Sequence, residues 1–239
     1  MLDDRTRSRF EAMRWNSPLS EAHADVLLDE LGLERAMSLL DLGCGWGPML
    51  LYAAARLPET AIATGVDTDA RSIEHGRAAA RERGLEDRVT FVEGDATQWT
   101  MAADAVLCSG VSHAWRDPLT ALHGVVAPGG RLLYGDGFWA APPSPAAMEI
   151  FGEAVTDREG LLSRVTAAGW QVRHVSHASQ EEWDEFEQTF RSGHENWARA
   201  HPDDPESAAT LADMARRREE YEAVYRGVLG FAFLVLEAG

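Results

Sequence analysis

Short apolar runs alternate with amphipathic stretches through the first half of this chain. The run Ser38-Leu39-Leu40-Asp41-Leu42 reads as a buried strand. It leads into a glycine-rich turn, Gly43-Cys44-Gly45-Trp46-Gly47, and a helix is expected from Pro48 to about Leu57. A second strand is predicted over 61–67, ending in an acid, with a helix over 69–83 closed by Gly84. A third strand covers 89–93 and runs into Gly94-Asp95-Ala96; a fourth covers 103–109. A helix over 118–126 stops at Pro128-Gly129-Gly130, and a fifth strand follows over 131–136. Strands and helices alternating at this spacing imply βαβ units, hence a mostly parallel sheet with right-handed crossovers.

Two helices are expected ahead of this unit. The first, over 2–15, places Phe10, Met13 and Trp15 on an apolar side; the second has Ser17 as N-cap and Pro18 at its first position, and runs to Leu31 before Gly32. After Pro142-Pro143-Ser144-Pro145 the pattern changes. Thr156-Asp157-Arg158-Glu159 is a capping box for a helix that stops at Gly169, and 170–177 reads as a sixth strand. Ser179-Gln180-Glu181-Glu182 is a second capping box, opening a long helix to about Ala200 with Trp183, Phe186, Phe190 and Trp197 on one face. Asp204-Pro205 starts its partner, with Leu211, Met214, Arg218, Tyr221, Tyr225 and Val228 at steps of three and four. These segments form a helical hairpin packed by aromatic stripes, and 230–236 is a last strand.

At 239 residues the chain suits one α/β domain with an appended helical part. Its net charge of −17 argues against a nucleic-acid partner, because phosphate binding needs clustered cations. The one basic run, Arg216-Arg217-Arg218, is followed by two glutamates and reads as a solvated helix face. All 22 basic residues are arginine, so no lysine is present for Schiff-base chemistry or to hold a triphosphate. No apolar run reaches membrane-spanning length, and Met1-Leu2-Asp3-Asp4-Arg5 is too charged for a signal peptide, which points to the cytoplasm. Cys44 and Cys108 are too few for a disulfide framework or a cysteine-built metal site, and no metal is expected. Both read as small apolar fillers at neighbouring strand ends.

The cofactor follows from what surrounds the glycine turn. A dinucleotide site has G-x-G-x-x-G, but here the glycines are spaced G-x-G-x-G and Pro48 stands where the third dinucleotide glycine would be. Asp41, two residues before the turn, is a poor neighbour for a pyrophosphate and a good one for positive charge. S-adenosylmethionine (SAM) has that character: a sulfonium joining an amino acid to a ribose and adenine. Asp67 at the next strand tip suits the ribose diol; Asp95 and Ala96 after the third suit the adenine.

These residues resemble the class I SAM-dependent methyltransferases. Leu40-Asp41-Leu42-Gly43-Cys44-Gly45-Trp46-Gly47 is similar to their first motif, Gly65-Val66-Asp67 to their ribose motif and Glu93-Gly94-Asp95-Ala96 to their adenine motif; Ala127-Pro128-Gly129-Gly130-Arg131-Leu132 looks like the lead into their fifth strand. Asn16-Ser17-Pro18, Gly137-Phe138-Trp139 and His201-Pro202-Asp203-Asp204 add a closer likeness to a mostly uncharacterised bacterial group. The resemblance implies a doubly wound α/β sheet of seven strands, order 3-2-1-4-5-7-6, the last strand antiparallel. It implies methyl transfer from SAM, leaving S-adenosyl-L-homocysteine (SAH), with Asp41, Gly43, Gly45, Asp67 and Asp95 as cofactor contacts. Cys44, Gly47, Thr68, Ala96 and Ser109 complete the expected cofactor set.

The acceptor is narrowed by absences. The Asn/Asp-Pro-Pro-Tyr/Phe of nucleic-acid amino-methyltransferases is replaced after the fourth strand by Cys108-Ser109-Gly110-Val111-Ser112-His113, and neither a Pro-Cys nucleophile nor a double-glutamate loop occurs. A small-molecule acceptor remains, with no nucleic-acid or membrane partner. His113 and Asp136 are the candidate bases; the alternatives are a loop histidine bonding backbone and a turn-capping acid. Trp115 and Trp139 either wall the acceptor or pack under the hairpin, and His194 reaches the site if the hairpin lies above it. The expectation is a single methyltransferase domain, with the helices of 1–36 capping the site and the insertion 179–228 forming a lid. Dimerisation through the aromatic stripes is the alternative to the lid, and the chain is expected as a monomer or a homodimer. The rival functions are a SAM-binding protein without methyl transfer and an NAD-dependent oxidoreductase.

Overall fold

In the computed structural model, Ser8, Phe10 and residues 12–238 are described, and much of the helix expected over 2–15 falls outside them. The strands are β1 (Ser38–Leu42), β2 (Ile62–Asp67), β3 (Val89–Glu93), β4 (Ala103–Ser109), β5 (Val126–Trp139), β6 (Trp170–His177) and β7 (Leu229–Ala238). They form one sheet in the order β3-β2-β1-β4-β5-β7-β6. β1 to β5 pair in parallel, and β7 runs antiparallel to β6. The helices are α1 (Glu21–Leu31), α2 (Pro48–Ala54), α3 (Ala70–Glu82), α4 (Pro118–Leu122), α5 (Pro145–Phe151), α6 (Arg158–Ala167), α7 (Gln180–Ala200) and α8 (Ser207–Glu220). The central strands are buried continuously rather than in alternation, and apolar but for Asp41: β1 is buried from Leu39 to Leu42 and β7 from Ala232 to Leu236.

Two compact units divide the chain. The larger comprises Glu21–Asp136, Glu159–His177 and Ala232–Gly239; the smaller comprises Met1–Ser20, Gly137–Arg158 and Ala178–Phe231.

Several local expectations give way to packing. α1 begins at Glu21 and not at Pro18, because Pro18 and Leu19 are buried in the preceding bends and the Ser20 N–H is held by Glu182 Oε1 at 2.8 Å. The stop at Pro128-Gly129-Gly130 lies inside β5 as a bulge: Val126 pairs with Ala103, and the next pair is Arg131 with Ala105. Only glycine fits there, since a Cβ on Gly130 would meet the Asp104 carbonyl oxygen at 2.7 Å. α5, unforeseen, is capped by Ser144, whose Oγ accepts from the Ala147 N–H.

Within the smaller unit, the Ser179–Glu182 capping box is present, and α7 presents Trp183 and Trp197 to the interior. Met214, Tyr221 and Tyr225 of the expected stripe are buried, but its start on α8 differs. Leu211 is 37% exposed, while Ser207, Thr210 and Met214 are buried. α8 ends in a π-turn, Tyr221–Tyr225, which sets the Tyr221 hydroxyl on Asp184 at 2.6 Å and the Tyr225 hydroxyl on Glu187 at 3.0 Å. Glu187 is fully buried, and Arg217 donates to it twice, at 2.8 and 2.9 Å. The run Arg216-Arg217-Arg218 is therefore not a uniformly solvated face: its middle member turns inward.

Candidate cofactor and acceptor site

The larger unit gathers the expected cofactor residues at the carboxyl ends of β1 to β4. After β1 the Gly43 and Cys44 N–H groups both donate to the Val66 carbonyl, at 2.8 and 3.1 Å, so the turn is pinned to β2. Gly43, Gly45 and Gly47 have φ of 71°, 56° and 72°, a left-handed region that only glycine enters without strain. Their surroundings differ. A Cβ on Gly43 would lie 2.5 Å from Val111 and one on Gly47 only 2.2 Å from Phe91, whereas one on Gly45 meets nothing within 4 Å. Gly45 therefore faces the open side of the turn.

Substitutions should separate these roles. Gly47→Ala should lower the denaturation midpoint clearly, because Phe91 is already packed against Gly76 and cannot retreat. Gly45→Ala should cost only the left-handed strain, about 1–2 kcal/mol, but should obstruct whatever occupies the open side. Denaturant titration and SAH binding, measured on both variants, should rank them in opposite orders.

Asp67 braces the turn: Oδ2 accepts from the Gly45 N–H at 2.8 Å and Oδ1 from the Asp69 N–H at 2.9 Å. Each carboxylate oxygen retains a second lone pair for a diol. Asp41 is 7% exposed, and burial followed by the nearby Asp67 charge raises its pKa from 3.8 to about 7. A buried acid with a second acid beside it is a group whose cost a cation would relieve. Asp95 is exposed at the tip of β3; its Oδ1 accepts from the Thr97 N–H and hydroxyl, which hold its pKa below the usual carboxylate value. Thr68 is exposed beside Asp67, and Ala96 opens a 3-10 turn after Asp95. Ser109 ends β4 with its Oγ buried and without a hydrogen-bond partner among the described residues. Cys44 and Cys108 are buried free thiols with pKa values pushed far up by burial and by Asp41, as unreactive fillers should be.

Asp136, in β5, is held by two hydroxyls: Ser112 donates to Oδ1 at 3.0 Å and Tyr134 to Oδ2 at 2.8 Å. His113 follows Ser112 in a short 3-10 turn and is exposed; Trp115, two residues on, is half-buried. The remaining acceptor-side candidates belong to the smaller unit. There Trp139 packs edge-on to Phe151, at 6.1 Å between ring centroids, beside the cluster of Trp183, Tyr221, Tyr225 and Leu229. His194 sits on α7 with its ring 4.9 Å from that of Phe190.

Val111, Ser112 and Tyr134 were not picked out from sequence as site residues. One signal was available: Tyr134 and Asp136 are two apart in a strand and so share a face. Nothing local marks a contact between Ser112 and Asp136.

Comparison with known proteins agrees with this geometry. The pattern described as a methyltransferase domain matches residues 39–130. The chain is 26% identical over 235 residues to the uncharacterized protein YjhP of Escherichia coli, covering 94% of each. It is 34% identical over 130 residues, 52% of this chain and 45% of the other, to trans-aconitate 2-methyltransferase of Methylobacterium radiotolerans. Among solved structures, a SAM-dependent methyltransferase from Thiobacillus denitrificans in complex with SAH superposes with a TM-score of 0.87 at 25% identity, covering 100% of this chain and 99% of that one. With the strand order, the left-handed glycine turn and the strand-tip acids in place, the chain carries a methyltransferase domain over residues 39–130 and is similar along its whole length to SAM-dependent methyltransferases of Rossmann-like fold.

Proposed function

We propose that this enzyme methylates a small molecule, with the division of labour among its residues set out below. The observation that carries the cofactor side is the open face of Gly45 between a buried Asp41 and a braced Asp67. SAM, when bound, supplies a methyl group on a sulfonium, ready for in-line displacement. Asp41 answers its positive charge, Asp67 the ribose hydroxyls, and Asp95 with the Ala96 N–H the adenine. Gly43, Cys44, Gly45 and Gly47 shape the cradle, with Thr68 and Ser109 at its edges.

On the acceptor side the protein mainly aligns a nucleophile and excludes water. His113, exposed just past β4, takes the proton where the acceptor must lose one; Trp115 offers a ring face beside it. A small acceptor is favoured by the net charge of −17 and by the small acid named for the Methylobacterium relative. Two free buried thiols favour the cytoplasm as the place of reaction.

Labelled-methyl transfer from SAM across a metabolite panel tests this reading, with a thermal-shift screen alongside. SAM and SAH should raise the melting temperature and NAD should not. Stabilisation by SAH with no labelled product from any acceptor class would favour binding without transfer.

A further inference from the structure

The segment between β4 and α4 is tied down at two points, against the Gly43 turn and at Asp136. Gly110 turns the chain away from β4 at φ 75°, its N–H donating to the Gly135 carbonyl at 2.9 Å. Val111 then fills the space against the cofactor turn, its Cγ1 only 2.5 Å from where a Gly43 Cβ would stand. Ser112 donates to Asp136 Oδ1 at 3.0 Å. Asp136 in turn receives the hydroxyl of Tyr134, a side chain with no solvent exposure. The Ala114 and Trp115 N–H groups close the 3-10 turn onto the Val111 and Ser112 carbonyls, at 3.0 and 3.2 Å. The backbone of His113 and Trp115 is thus held through Val111 and Ser112.

We propose that Ser112, Asp136 and Tyr134 form a latch, and Val111 a seat on Gly43, through which occupancy of the cofactor turn fixes the loop that presents His113 and Trp115 to the acceptor. Asp136 is then a positioning residue and not the proton acceptor. Bound SAM would add to the backbone bonds that already hold the Gly43 turn, and so tighten the loop above it. This deepens the proposed function and rests on its assignment of the turn to SAM.

The latch has a readout that needs no acceptor. Hydrogen exchange of the amides of 110–115 is followed by mass spectrometry with and without saturating SAH, whose affinity is measured separately by calorimetry. In the wild type, SAH should slow exchange in this loop at least tenfold. In Ser112→Ala, SAH should bind within twofold of the wild-type affinity but lose most of that added protection, and Ser112→Thr, which keeps the hydroxyl, should restore it. Tyr134→Phe, which removes one of the two hydroxyls on Asp136, should fall between. A merely structural serine would change exchange without ligand and leave the SAH-dependent increment intact. An unchanged increment in Ser112→Ala, or an equal loss in Ser112→Thr, overturns the latch while leaving the methyltransferase reading standing. Absence of SAH binding by the wild type overturns that reading instead. On any acceptor found by the panel, Ser112→Ala should raise KM for the acceptor and leave KM for SAM within twofold.

Discussion

Asp41→Asn should make the ligand-free protein more stable at pH 8 and at the same time weaken SAM binding at least a hundredfold. Both effects come from one carboxylate. In the folded, ligand-free protein its pKa rises from 3.8 to about 7, chiefly by burial and secondarily by the Asp67 charge. An acid with a raised pKa resists ionisation in the folded state, so its cost is absent at low pH. The cost grows as pH climbs from 3.8 towards about 7, and is fully present above that. The interval corresponds to about 4 kcal/mol as an upper bound, and asparagine, nearly isosteric, removes the ionisation altogether. Binding runs the other way on the proposed assignment, in which the charge that is costly in the empty site would face the cation of SAM in the filled one. Wild-type affinity should therefore fall about tenfold for each pH unit below 7, with one proton released on binding, and the Asn variant should show neither dependence. Calorimetry in buffers of different ionisation enthalpy, with urea denaturation at pH 5 and pH 8, reads all of these. A variant less stable than wild type at pH 8, with unchanged affinity, would remove Asp41 from the site.

The second large effect belongs to the helical hairpin. Arg217→Ala should cost about 3–5 kcal/mol, because it strips the paired donor from a glutamate with essentially no solvent access. What remains on Glu187 is the Tyr225 hydroxyl and the longer approach of Arg191 at 3.8 Å, too little for a buried charge. Replacing both partners, Glu187→Met with Arg217→Met, should recover most of the loss, since the apolar pair no longer has a charge to bury. Denaturation curves of the single and double variants form the cycle. A cost for Arg217→Ala below about 1 kcal/mol would mean that water reaches Glu187 and that the pair is ornamental.

These two sites show why one part of the chain was legible and another was not. Asp41, Gly43, Gly45 and Asp67 lie within a few residues of the strand ends that position them, so local signals suffice: an apolar run, a glycine turn and an acid at a tip. The Glu187–Arg217 pair lies 30 residues apart on two helices, each of which carries many charges. A helical wheel of α8 places Leu211 at the interface and Arg217 in solvent, and both are reversed. The reversal goes with Ser207 and Thr210 turning inward, whereas Met214, Tyr221 and Tyr225 keep the buried positions that the periodicity gives them. Such a reversal comes from tertiary contact and leaves no trace in local periodicity. The long β5 has a similar cause. Pro128-Gly129-Gly130 carries the strongest turn signal in its region, yet close approach of the Asp104 backbone makes it a bulge inside a strand. Ser112 has no local signature either, because its hydroxyl meets Asp136 across 24 residues of sequence.

The place of β7 in the sheet bears on how the molecule is made. It is the last strand in the sequence order, yet it lies between β5 and β6. Until Leu229–Ala238 has been synthesised, β5 and β6 each have an unpaired edge, and their hydrogen-bonding groups are open to any neighbouring chain. The sheet on the side of β1 to β4 can assemble during synthesis from successive βαβ units, but its completion waits for a segment made some 50 residues after β6. A ribosome stalled within α8 therefore holds a nascent protein whose cofactor-side strands are already complete and whose other half is a template for aggregation. Pairing of both β5 and β6 waits on that one segment.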